Sequence, residues 1–536
     1  MTKTTKQTGL FQQPAEKTAR TMLMDAKREF KGPGPLEKAW LWMEAIFNGA
    51  AAAPHNPFNY LGAVCILFMW IILATGFYIF IFYSISAKEA YPSVEAITHG
   101  QWYAGGIMRS LHRYASDGLV IAMALHGLKC WVLDRYKHWR KVAWVSGVII
   151  AWVVIAGGVF GYWMVWDERA KIIAELSSRL FEAVPIFGLP LSLNFARVEN
   201  LTNQLFYIIL FVHFSTSVVL FLLIMIHISR ITKSIVTPPK VVIYALAIAL
   251  LILSIIKPAV SGAPADLKAL TQEVPFDWFY LFIFPLLKYL SAREVWAAII
   301  ALTAVVIVVP WLTWGRGARR NPSATVTVEN CVGCELCQED CPYQAIQMRK
   351  RTDGAPYELT AVVTANRCAS CGICAGACDY NAINLPDMTE ADVKENIRKA
   401  SMSAKAGSVK GVSTVVFLCA KSVNLESDIE GNRIKGFDNA VAVTLPCIGM
   451  LQPSMLSIPF EEGIDGVFVS ACSPGDCQYR TGDIWFGQRL TGLRPPIVKK
   501  SIDRARVKAV YLSSVEKAGF RQGLADFLSS LTKREG

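Results

Sequence analysis

The sequence has few histidines, little charge and no recognisable nucleotide-binding motif. Only seven of its 536 residues are histidine, and only two of its fourteen cysteines precede residue 330. Charged residues make up 18% of the chain. No G-x-G-x-x-G follows a predicted strand, which argues against a Rossmann-type site. The first twenty residues lack an apolar segment, so no cleavable signal peptide is expected.

Hydrophobic residues are abundant instead. They make up 53% of the chain, and the mean hydropathy of +0.35 is too high for an ordinary soluble protein. Six membrane spans are predicted, at about 61–83, 113–133, 143–165, 206–229, 241–260 and 295–314. The net charge of +12 suits the loops of a membrane protein and does not require nucleic acid as a partner.

Positive charge predicts how these spans are oriented. Residues 1–40 form a basic tail, and every second connection is also basic. The basic residues of these connections are Lys129, Arg135, Lys137, Arg140 and Lys141, then Arg230, Lys233 and Lys240, and finally Arg316, Arg319 and Arg320. We therefore expect a multi-pass protein of the inner (cytoplasmic) membrane, in contact with lipid, with both termini on the cytoplasmic side.

Four of the seven histidines form two matched pairs in apolar segments. His112 and His126 are fourteen residues apart, and so are His213 and His227. Fourteen residues is just under four helical turns, so the histidines of each pair share a face and lie roughly 21 Å apart. Two such helices side by side would present two His–His pairs, which predicts two bis-histidine haems at two membrane depths. A lone histidine in a membrane helix would more often be a packing or proton-relay residue.

Glycines repeat the same spacing in two other predicted spans. Gly62 and Gly76 are fourteen residues apart in the first span, and Gly147 and Gly161 in the third. Glycine weakens a helix, so it usually has a packing reason there. The shared spacing indicates close approach of these backbones to the two cofactors. The alternative is ordinary small-residue packing between membrane helices.

Residues 40–238 resemble the N-terminal half of cytochrome b from quinol-oxidising bc-type complexes, especially the photosynthetic form. The motifs are ATGFYIFIFYS, EAYPSVEAI, MRSLHRYASDG, RKVAWVSGV, GYWMVWDE and LFEAVPIFG. The resemblance implies that residues 41–238 form a dihaem four-helix bundle. It pairs His112 with His213 on an outer haem b, and His126 with His227 on an inner one. Arg109 and Arg113 become candidate propionate partners, with interfacial anchoring as the alternative.

Residues 239–318 resemble a shortened C-terminal part of the same family. PFDWFYLFIFPLLKYL is similar to the Pro-Glu-Trp-Tyr segment that lines the family's outer quinol site, with Asp277 in the place of the acid. This carboxylate is the candidate catalytic group, because it could accept a proton from a quinol hydroxyl. The alternative is an interfacial acidic loop residue. Val165 departs from the family's proline, and Tyr60 stands where the photosynthetic form attaches an extra haem, so no third haem is expected.

Residues 324–386 contain a cysteine repeat with a period of 37. Each copy has the spacing C-x2-C-x2-C-x3-C, in which three thiolates bind one [4Fe-4S] cluster and the fourth binds the other. The first predicted ligand set is Cys331, Cys334, Cys337 and Cys378, and the second is Cys368, Cys371, Cys374 and Cys341. Two zinc sites are the alternative. The fold expected here is the α+β fold of a bacterial-type ferredoxin.

Residues 411–536 are predicted to form an open α/β sheet, preceded by a helix and flexible linker at 387–410. The apolar runs TVVFL, AVAVTL and GVFVSA each lead to a cysteine, which places three cysteines at the carboxyl edge of the sheet. With the nearby fourth, they form a candidate [2Fe-2S] site of Cys419, Cys447, Cys472 and Cys477. Unpaired buried cysteines are the alternative.

This last part resembles the hydrogenase delta subunit that links hydrogenases to heterodisulfide reductases. LPCIGM and DGVFVSACSPGDCQYRTGD carry the resemblance. The family commonly opens with Cys-Asn-Trp-Cys, whereas this chain has CAKS. In that family the subunit passes electrons to a partner that carries flavin and iron–sulfur clusters, which implies such a partner in the cytoplasm.

The expected architecture is therefore a six-span α-helical bundle, a ferredoxin and an α/β iron–sulfur domain, in that order. We predict an oxidoreductase subunit that carries electrons between the quinone pool, two b haems, the clusters and a heterodisulfide-reductase-like flavin or iron–sulfur partner. Quinone would be its substrate. The alternative is a quinone-independent anchor that conducts electrons from an extracytoplasmic redox protein. The direction of flow, the quinone, the partner's identity and homodimer formation stay open.

Overall fold

The structure, a computed structural model, describes seven stretches of the chain. They are residues 34–136, 140–184, 201–229, 234–268, 277–312, 322–407 and 411–535. Most of the predicted basic tail and several of the charges used to orient the spans lie outside the described residues. Those charges are Lys137, Arg230, Lys233, Arg316, Arg319 and Arg320. Within the described part of the tail, helix α1 covers Pro35–Ala51.

Six long helices stand where the sequence predicts spans. They are α2 (Leu61–Phe82), α4 (Ile107–Val132), α5 (Lys141–Val165), α7 (Asn203–Ser229), α8 (Lys240–Ile256) and α9 (Ala292–Val308), with the short α3 (Ala90–Glu95) between the first two. Four segments of the described chain are long and apolar enough to cross a membrane: Pro57–Phe82, Lys141–Val165, Asn203–Ser229 and Ala292–Trp311. Helix α4 does not meet that criterion, and α8 has only 17 residues. The coarse prediction of an apolar helical domain followed by a strand-containing region is confirmed.

These helices pack in two close pairs, α2 along α4 and α5 along α7. Small residues allow close approach: Gly118 of α4 lies against the ring of Phe68 from α2. Large apolar side chains remain on the outside of the bundle, such as Phe77 (67% exposed) and Phe211 (70% exposed). So much exposed apolar surface is costly in water and favourable in lipid.

One end of the bundle is covered by an amphipathic helix, α6 (Glu168–Glu182). Asp167 caps it, because its carboxylate accepts a hydrogen bond of 2.8 Å from the amide of Ala170. The buried face of α6 joins a core that includes Trp166, Phe206 and Tyr280. The segment that contains Asp277 is thereby held over this end of the bundle.

The ferredoxin region consists of two small antiparallel sheets and two short helices. Strand β1 (Thr325–Val326) pairs with β4 (Ile383–Asn384), and β2 (Ile346–Lys350) pairs with β3 (Leu359–Val363). The short helices are α10 (Leu336–Asp340) and α11 (Ile373–Gly376). Each short helix begins inside one cysteine run, so the two halves of the sequence repeat form matching structural halves.

The last region contains a six-stranded sheet in the order β10-β9-β5-β8-β7-β6. Its four parallel strands are β5 (Thr414–Cys419), β8 (Phe437–Leu445), β9 (Gly466–Cys472) and β10 (Val507–Leu512). The short strands β6 (Ile429–Glu430) and β7 (Arg433–Ile434) extend it in antiparallel fashion. Successive residues of β5 alternate between two cores, since Val415 and Phe417 belong to one and Val416 and Leu418 to the other. A sheet buried on both faces explains the continuous apolar runs.

Helices cover both faces of this sheet. Helix α12 (Glu390–Gly407) packs on β5 and β8, and α15 (Lys517–Glu535) packs on β9 and β10. Two shorter helices, α13 (Ser457–Glu461) and α14 (Gly482–Thr491), follow β8 and β9. Of the helix and flexible linker predicted at 387–410, the larger part is helix α12, which buries Val393 and Ile397 against the sheet. Residues 408–410 lie outside the described part.

The ferredoxin and the α/β domain share one hydrophobic core. Gln452 of the α/β domain donates hydrogen bonds to the carbonyls of Ala375 and Cys378 at 2.9 and 2.5 Å. Asp340 of the ferredoxin is buried and forms an ion pair with Arg489, and its Oδ1 accepts a hydrogen bond of 2.6 Å from Arg494 Nε. The two regions therefore form one packed unit.

Candidate functional site

The histidines nearer the α6 end face each other across the bundle. The ring centroids of His112 and His213 are 6.5 Å apart. Nδ1 of His112 lies 3.0 Å from the carbonyl oxygen of Ile72, and Nδ1 of His213 lies 3.0 Å from that of Gly157. Hydrogen bonding at Nδ1 fixes each ring and leaves Nε2 as the metal-binding nitrogen. Because a metal–nitrogen bond is about 2 Å, rings at this separation fit the two sides of one haem iron.

The other two histidines form a second pair at the opposite end of the same helices. His126 and His227 are close enough to interact electrostatically. Nδ1 of His227 lies 2.8 Å from the hydroxyl oxygen of Ser146, the residue before Gly147. In His227, Nδ1 is therefore engaged and Nε2 stays available. The residues again fit a bis-histidine haem.

Each of the four predicted glycines lies beside one of the four histidines. A Cβ atom on the glycine would come close to Cε1 of the imidazole, at 2.9 Å for Gly76 and His112, 3.2 Å for Gly161 and His213, 3.4 Å for Gly62 and His126, and 3.6 Å for Gly147 and His227. Two glycines and two histidines therefore meet at each level of the bundle. The glycines provide room for the ligand rings, a role that helix packing alone does not require.

Arg109 contacts polar partners at the α6 end of the bundle. Its guanidinium donates hydrogen bonds to the hydroxyls of Thr98 at 2.5 Å and Ser261 at 2.8 Å, and it lies 3.6 Å from the carboxylate of Glu95. Its role toward a haem propionate stays a prediction.

Arg113 and Asp277 form the centre of a buried polar cluster. Arg113 Nη2 lies 2.5 Å from Asp277 Oδ2, and the hydroxyl of Tyr162 donates to the same oxygen. The other oxygen accepts a hydrogen bond of 2.8 Å from the amide of Phe279, while Asp117 lies 3.5 Å from Arg113 Nε. Burial raises the pKa of Asp277, but the bonds from Arg113 and Tyr162 outweigh it and hold the pKa below its ordinary value.

This cluster adjoins the first histidine pair. Arg113 follows His112 in the chain, and Tyr162 follows Gly161, which lies against His213. Tyr280 packs so closely on Gly158 that a Cβ there would overlap its ring. The sequence pattern led to Asp277, but not to Tyr162 or Asp117, which have no motif of their own and are brought in by helix packing.

The two predicted ferredoxin ligand sets line two separate small cavities. One is lined by Cys331, Cys334, Cys337 and Cys378, and the other by Cys341, Cys368, Cys371 and Cys374. Within the described ranges, no group of three or more His, Cys, Asp or Glu side chains is arranged to hold a single metal ion. Cavities with four thiols at their walls fit clusters of several irons.

Backbone amides donate to these thiols with the 37-residue period of the sequence. The amide of Ala345 lies 3.3 Å from Cys341 Sγ, and that of Ala382 lies 3.4 Å from Cys378 Sγ. The amides of Ala324 and Ala361 likewise lie 3.5 Å from Cys368 Sγ and Cys331 Sγ. Such hydrogen bonds to sulfur tune the potential of an iron–sulfur cluster.

The remaining four cysteines meet at the carboxyl edge of the six-stranded sheet. Cys419 ends β5, Cys472 ends β9, and Cys447 lies two residues beyond β8. Their Sγ atoms are close, with 3.5 Å between Cys419 and Cys472, and both Cys419 and Cys477 are within hydrogen-bonding reach of Cys447 and Cys472. All four are buried. A Cβ on Gly482 would overlap Cys447 Sγ, so the site also requires that glycine.

The loop that carries Cys477 is docked on the membrane helices. Asp476 lies 3.2 Å from Lys129 Nζ and 2.7 Å from Arg135 Nη2, and burial raises its pKa less than these cations lower it. The hydroxyl of Tyr60 donates to the carbonyl of Pro474 at 3.0 Å. The guanidinium of Arg140 donates to the carbonyl of Gln478 at 2.6 Å. In the sequence these basic residues served only to predict the orientation of the spans. No motif indicated that they contact the loop that carries Cys477.

Comparison with known families agrees with this division of the chain. Residues 51–204 match the family described as Cytochrome b/b6/petB. Residues 330–391 match the 4Fe-4S dicluster domain, and residues 414–533 match the delta subunit of methyl-viologen-reducing hydrogenase.

The similar curated proteins include cytochromes b6. That of Mastigocladus laminosus is 34% identical over 140 residues, which cover 26% of this chain and 65% of the relative. That of Synechococcus elongatus is 31% identical over 163 residues, which cover 28% of this chain and 75% of the relative. Among solved structures, "Hyperthermophilic respiratory Complex III" aligns with a TM-score of 0.39 at 17% identity, covering 52% of this chain and 82% of that one.

The apolar helices, the histidine pairs and the cysteine sites together define a membrane electron-transfer protein. The chain belongs to the cytochrome b/b6 family, and it joins to that membrane part a 4Fe-4S dicluster domain and a hydrogenase delta-subunit domain. It spans about two thirds of the length of the first cytochromes b6 it matches.

Proposed function

We propose that this chain is the membrane subunit of a quinone-linked oxidoreductase. It would carry electrons between the quinone pool and a cytoplasmic partner that bears flavin or iron–sulfur clusters and resembles heterodisulfide reductase. The observation that carries this proposal is the position of Asp277. Its hydrogen-bond partners Arg113 and Tyr162 are sequence neighbours of His112 and Gly161, so a buried carboxylate lies at the outer histidine pair.

In this proposal all six long helices cross the membrane. Helix α4 crosses because its charged residues face partners within the protein, such as Asp277 for Arg113 and Glu44 for Lys129. The cysteine-rich regions dock beside Lys129, Arg135 and Arg140, on the side that the positive-inside rule makes cytoplasmic. The termini and the iron–sulfur regions would then lie on the cytoplasmic side of the inner membrane.

The four histidines would hold two b haems, His112 with His213 and His126 with His227. Haem iron held by two histidines supplies reversible one-electron transfer. The chain's own contribution is to fix the ligand rings through Nδ1 and to clear space beside them with four glycines.

The cysteines would hold two [4Fe-4S] clusters and one [2Fe-2S] cluster. The support for the cubanes is one four-thiol cavity per predicted ligand set. The support for a smaller cluster at Cys419, Cys447, Cys472 and Cys477 is the closeness of these thiols at one sheet edge. Mössbauer spectroscopy of a variant that lacks the two [4Fe-4S] clusters should still show one two-iron cluster.

Oxidation of a quinol at the outer site releases two protons, and Asp277 would accept them one at a time and pass each to the aqueous phase on the outer side. Its lowered pKa keeps it ionised at neutral pH, and Tyr162 lies against it as a hydrogen-bonded relay. The two electrons of the quinol would leave singly, because each haem accepts one.

The test is the variant Asp277→Asn in purified membranes, with Asp266→Asn as the control, since Asp266 is an exposed acid in a neighbouring loop. We expect both variants to contain both haems, and only Asp277→Asn to lose reduction of haem b by a quinol analogue, by tenfold or more. An unchanged rate in Asp277→Asn would remove Asp277 from quinol chemistry.

A quinone-independent anchor is the second candidate. The observation in its favour is that both oxygens of Asp277 already accept hydrogen bonds within the protein. A carboxylate used only to hold Arg113 and the 277–280 segment would look the same. In that case no quinol would reduce the haems of the unmodified protein, and reduction would require a redox protein from the outer side.

A further inference from the structure

We infer that the four-cysteine site of the α/β domain is the relay next to the inner histidine pair, and that electrons enter or leave the protein through the ferredoxin. This order differs from the order of the domains along the chain, which would place the ferredoxin between the histidines and the α/β domain. The inference rests on the proposed function and adds to it the sequence of sites and the surface for the partner.

The first step of the argument is the docking loop, residues 473–480. Its contacts with the membrane helices involve residues next to the inner histidine site. Tyr60, which binds Pro474, precedes Gly62 by two residues, and Lys129, which binds Asp476, follows His126 by three. Cys477 belongs to this loop and also to the four-cysteine site. One thiol of that site thus lies in a loop that is anchored on residues within three positions of Gly62 and His126.

Arg480 strengthens the same connection. It interacts electrostatically with His227 and lies 5.9 Å from the ring centroid of Tyr343 in the ferredoxin. Burial and the nearby Arg140 lower the pKa of Arg480 to about 10, so it stays charged at neutral pH. A fixed positive charge at the junction favours arrival of an electron on either side of it.

The second step is the contact between the four-cysteine site and the second cubane site. Cys371 interacts electrostatically with Cys477. Cys371 and Cys447 also belong to one buried cluster, together with Ile373. The two sites are therefore immediate neighbours.

The third step leads from the second cubane site to the first. The short helices α10 and α11 pack on each other, and they carry Cys337 of the first site and Cys374 of the second, which are close enough to interact electrostatically. In the first site Cys334 is exposed, whereas all four cysteines of the α/β site are buried. An outside partner can approach closely at Cys334, and it cannot do so at the α/β site.

The order that follows is outer histidines, inner histidines, α/β site, second cubane site and first cubane site. One electron moves at each step, one site being oxidised as the next is reduced, and no atom is transferred. A quinol on the membrane side gives up two electrons, and on the cytoplasmic side one flavin or two one-electron iron–sulfur clusters of the partner take them up. The exposed edge carries Glu329, Glu335 and Glu339, which favours a partner with a basic surface.

The experiment uses the full-length protein with both haems and all clusters. A ruthenium photoreductant is attached through Tyr357→Cys, an exposed position in the loop that leads to β3 beside the first cubane site. A flash then injects an electron at the ferredoxin, and haem absorbance records its arrival. The second variant, Cys472→Ser, removes a ligand of the α/β site.

We expect Cys472→Ser to slow haem reduction at least a hundredfold while the electron paramagnetic resonance (EPR) signals of both cubanes are unchanged. Haem reduction at the unmodified rate would overturn the inference. If Cys472→Ser does not fold, Arg135→Gln is used in its place to test the order of sites. Its control is Arg179→Gln, at the opposite end of the helical bundle. Arg135→Gln should slow arrival at least tenfold and shift the midpoint potential of the inner haem, and equal behaviour of the two arginine variants would overturn the inference.

Failure of the proposed function looks different. If the unmodified protein lacks haem or cubane signals, the proposed function is wrong. If those signals are present and quinol reduces the haems, but Cys472→Ser has no effect on the flash reaction, only the order of sites is wrong.

Discussion

A Cβ atom on Gly76 would lie 2.9 Å from Cε1 of His112, closer than packed carbon atoms approach. The other three pairs of glycine and histidine are progressively less tight, up to 3.6 Å for Gly147 and His227. Glycine is thus required beside His112 on α2 more strictly than beside His227 on α5. The four distances therefore predict which glycine can be replaced with the least effect on its histidine.

Alanine at these glycines should disturb the haems in the order of those distances. We expect Gly76→Ala to displace His112 and to lose most of the outer haem, because the added methyl group would take space that the imidazole ring occupies. Gly147→Ala should keep the full haem content, since its contact is ordinary. The measurement is haem content per protein and the reduced-minus-oxidised spectrum. Equal loss in both variants would mean that the glycines serve helix packing alone.

The ion pair of Arg113 and Asp277 should determine the lowest pH at which the outer site stays intact. The pKa of Asp277 is lowered in the folded protein, so its contribution to stability is present above the unfolded pKa of about 3.9 and is lost as pH falls through the folded value. We expect the difference between the outer-haem spectra of the unmodified protein and Asp277→Asn to be constant between about pH 5 and pH 8 and to change only below about pH 4. A transition near pH 6 in the unmodified protein that Asp277→Asn abolishes would contradict the lowered pKa.

Asp340 should be essential to the packing of the ferredoxin on the α/β domain. It pairs with Arg489, which is fully buried, and with Arg494. Asp340→Asn leaves a buried guanidinium without its counter-charge, which costs roughly 3–5 kcal/mol. Thermal unfolding followed by protease sensitivity should show a clear loss of stability. Glu395→Gln, which removes an exposed pair with Lys399, is the control and should change little.

Charge reversal beside Cys334 should weaken encounter with the soluble partner. Glu335 is exposed at that edge, and Glu335→Lys should lower the association rate with a basic partner severalfold at low salt. Raising ionic strength should reduce the difference between variant and unmodified protein, because salt screens exposed charges. The control is Glu430→Lys on the far edge of the sheet. An equal effect of both reversals would point to net charge rather than to a docking surface.

The sequence was most informative where a local period determines the structure. The spacing of His112 and His126 and that of Gly62 and Gly76 follow from helix geometry, and the cysteine runs follow from the geometry of a cluster. Strand ends placed three cysteines at one sheet edge. In each case the relevant residues lie within a few turns or strands of one another.

Contacts between distant parts of the chain could not be predicted in the same way. The bond between Arg135 and Asp476 joins residues 341 positions apart, and that between Arg113 and Asp277 joins residues 164 apart. In neither pair does the sequence motif around one residue indicate the position of the other. For this reason the sequence predicted only the order of the domains along the chain. The contact of the docking loop with the membrane helices depends on tertiary packing and could not be predicted from it.

The complete burial of the α/β cysteines has a consequence for how the protein is made. Cys447 and Cys472 are sealed beneath the ferredoxin and the docking loop, with exposures of 0% and 2%. Iron and sulfide delivered to that site by a carrier protein would have to arrive while the soluble part is still open. Maturation of this centre would therefore precede closure onto the membrane helices, and a lost cofactor could not be replaced without partial unfolding.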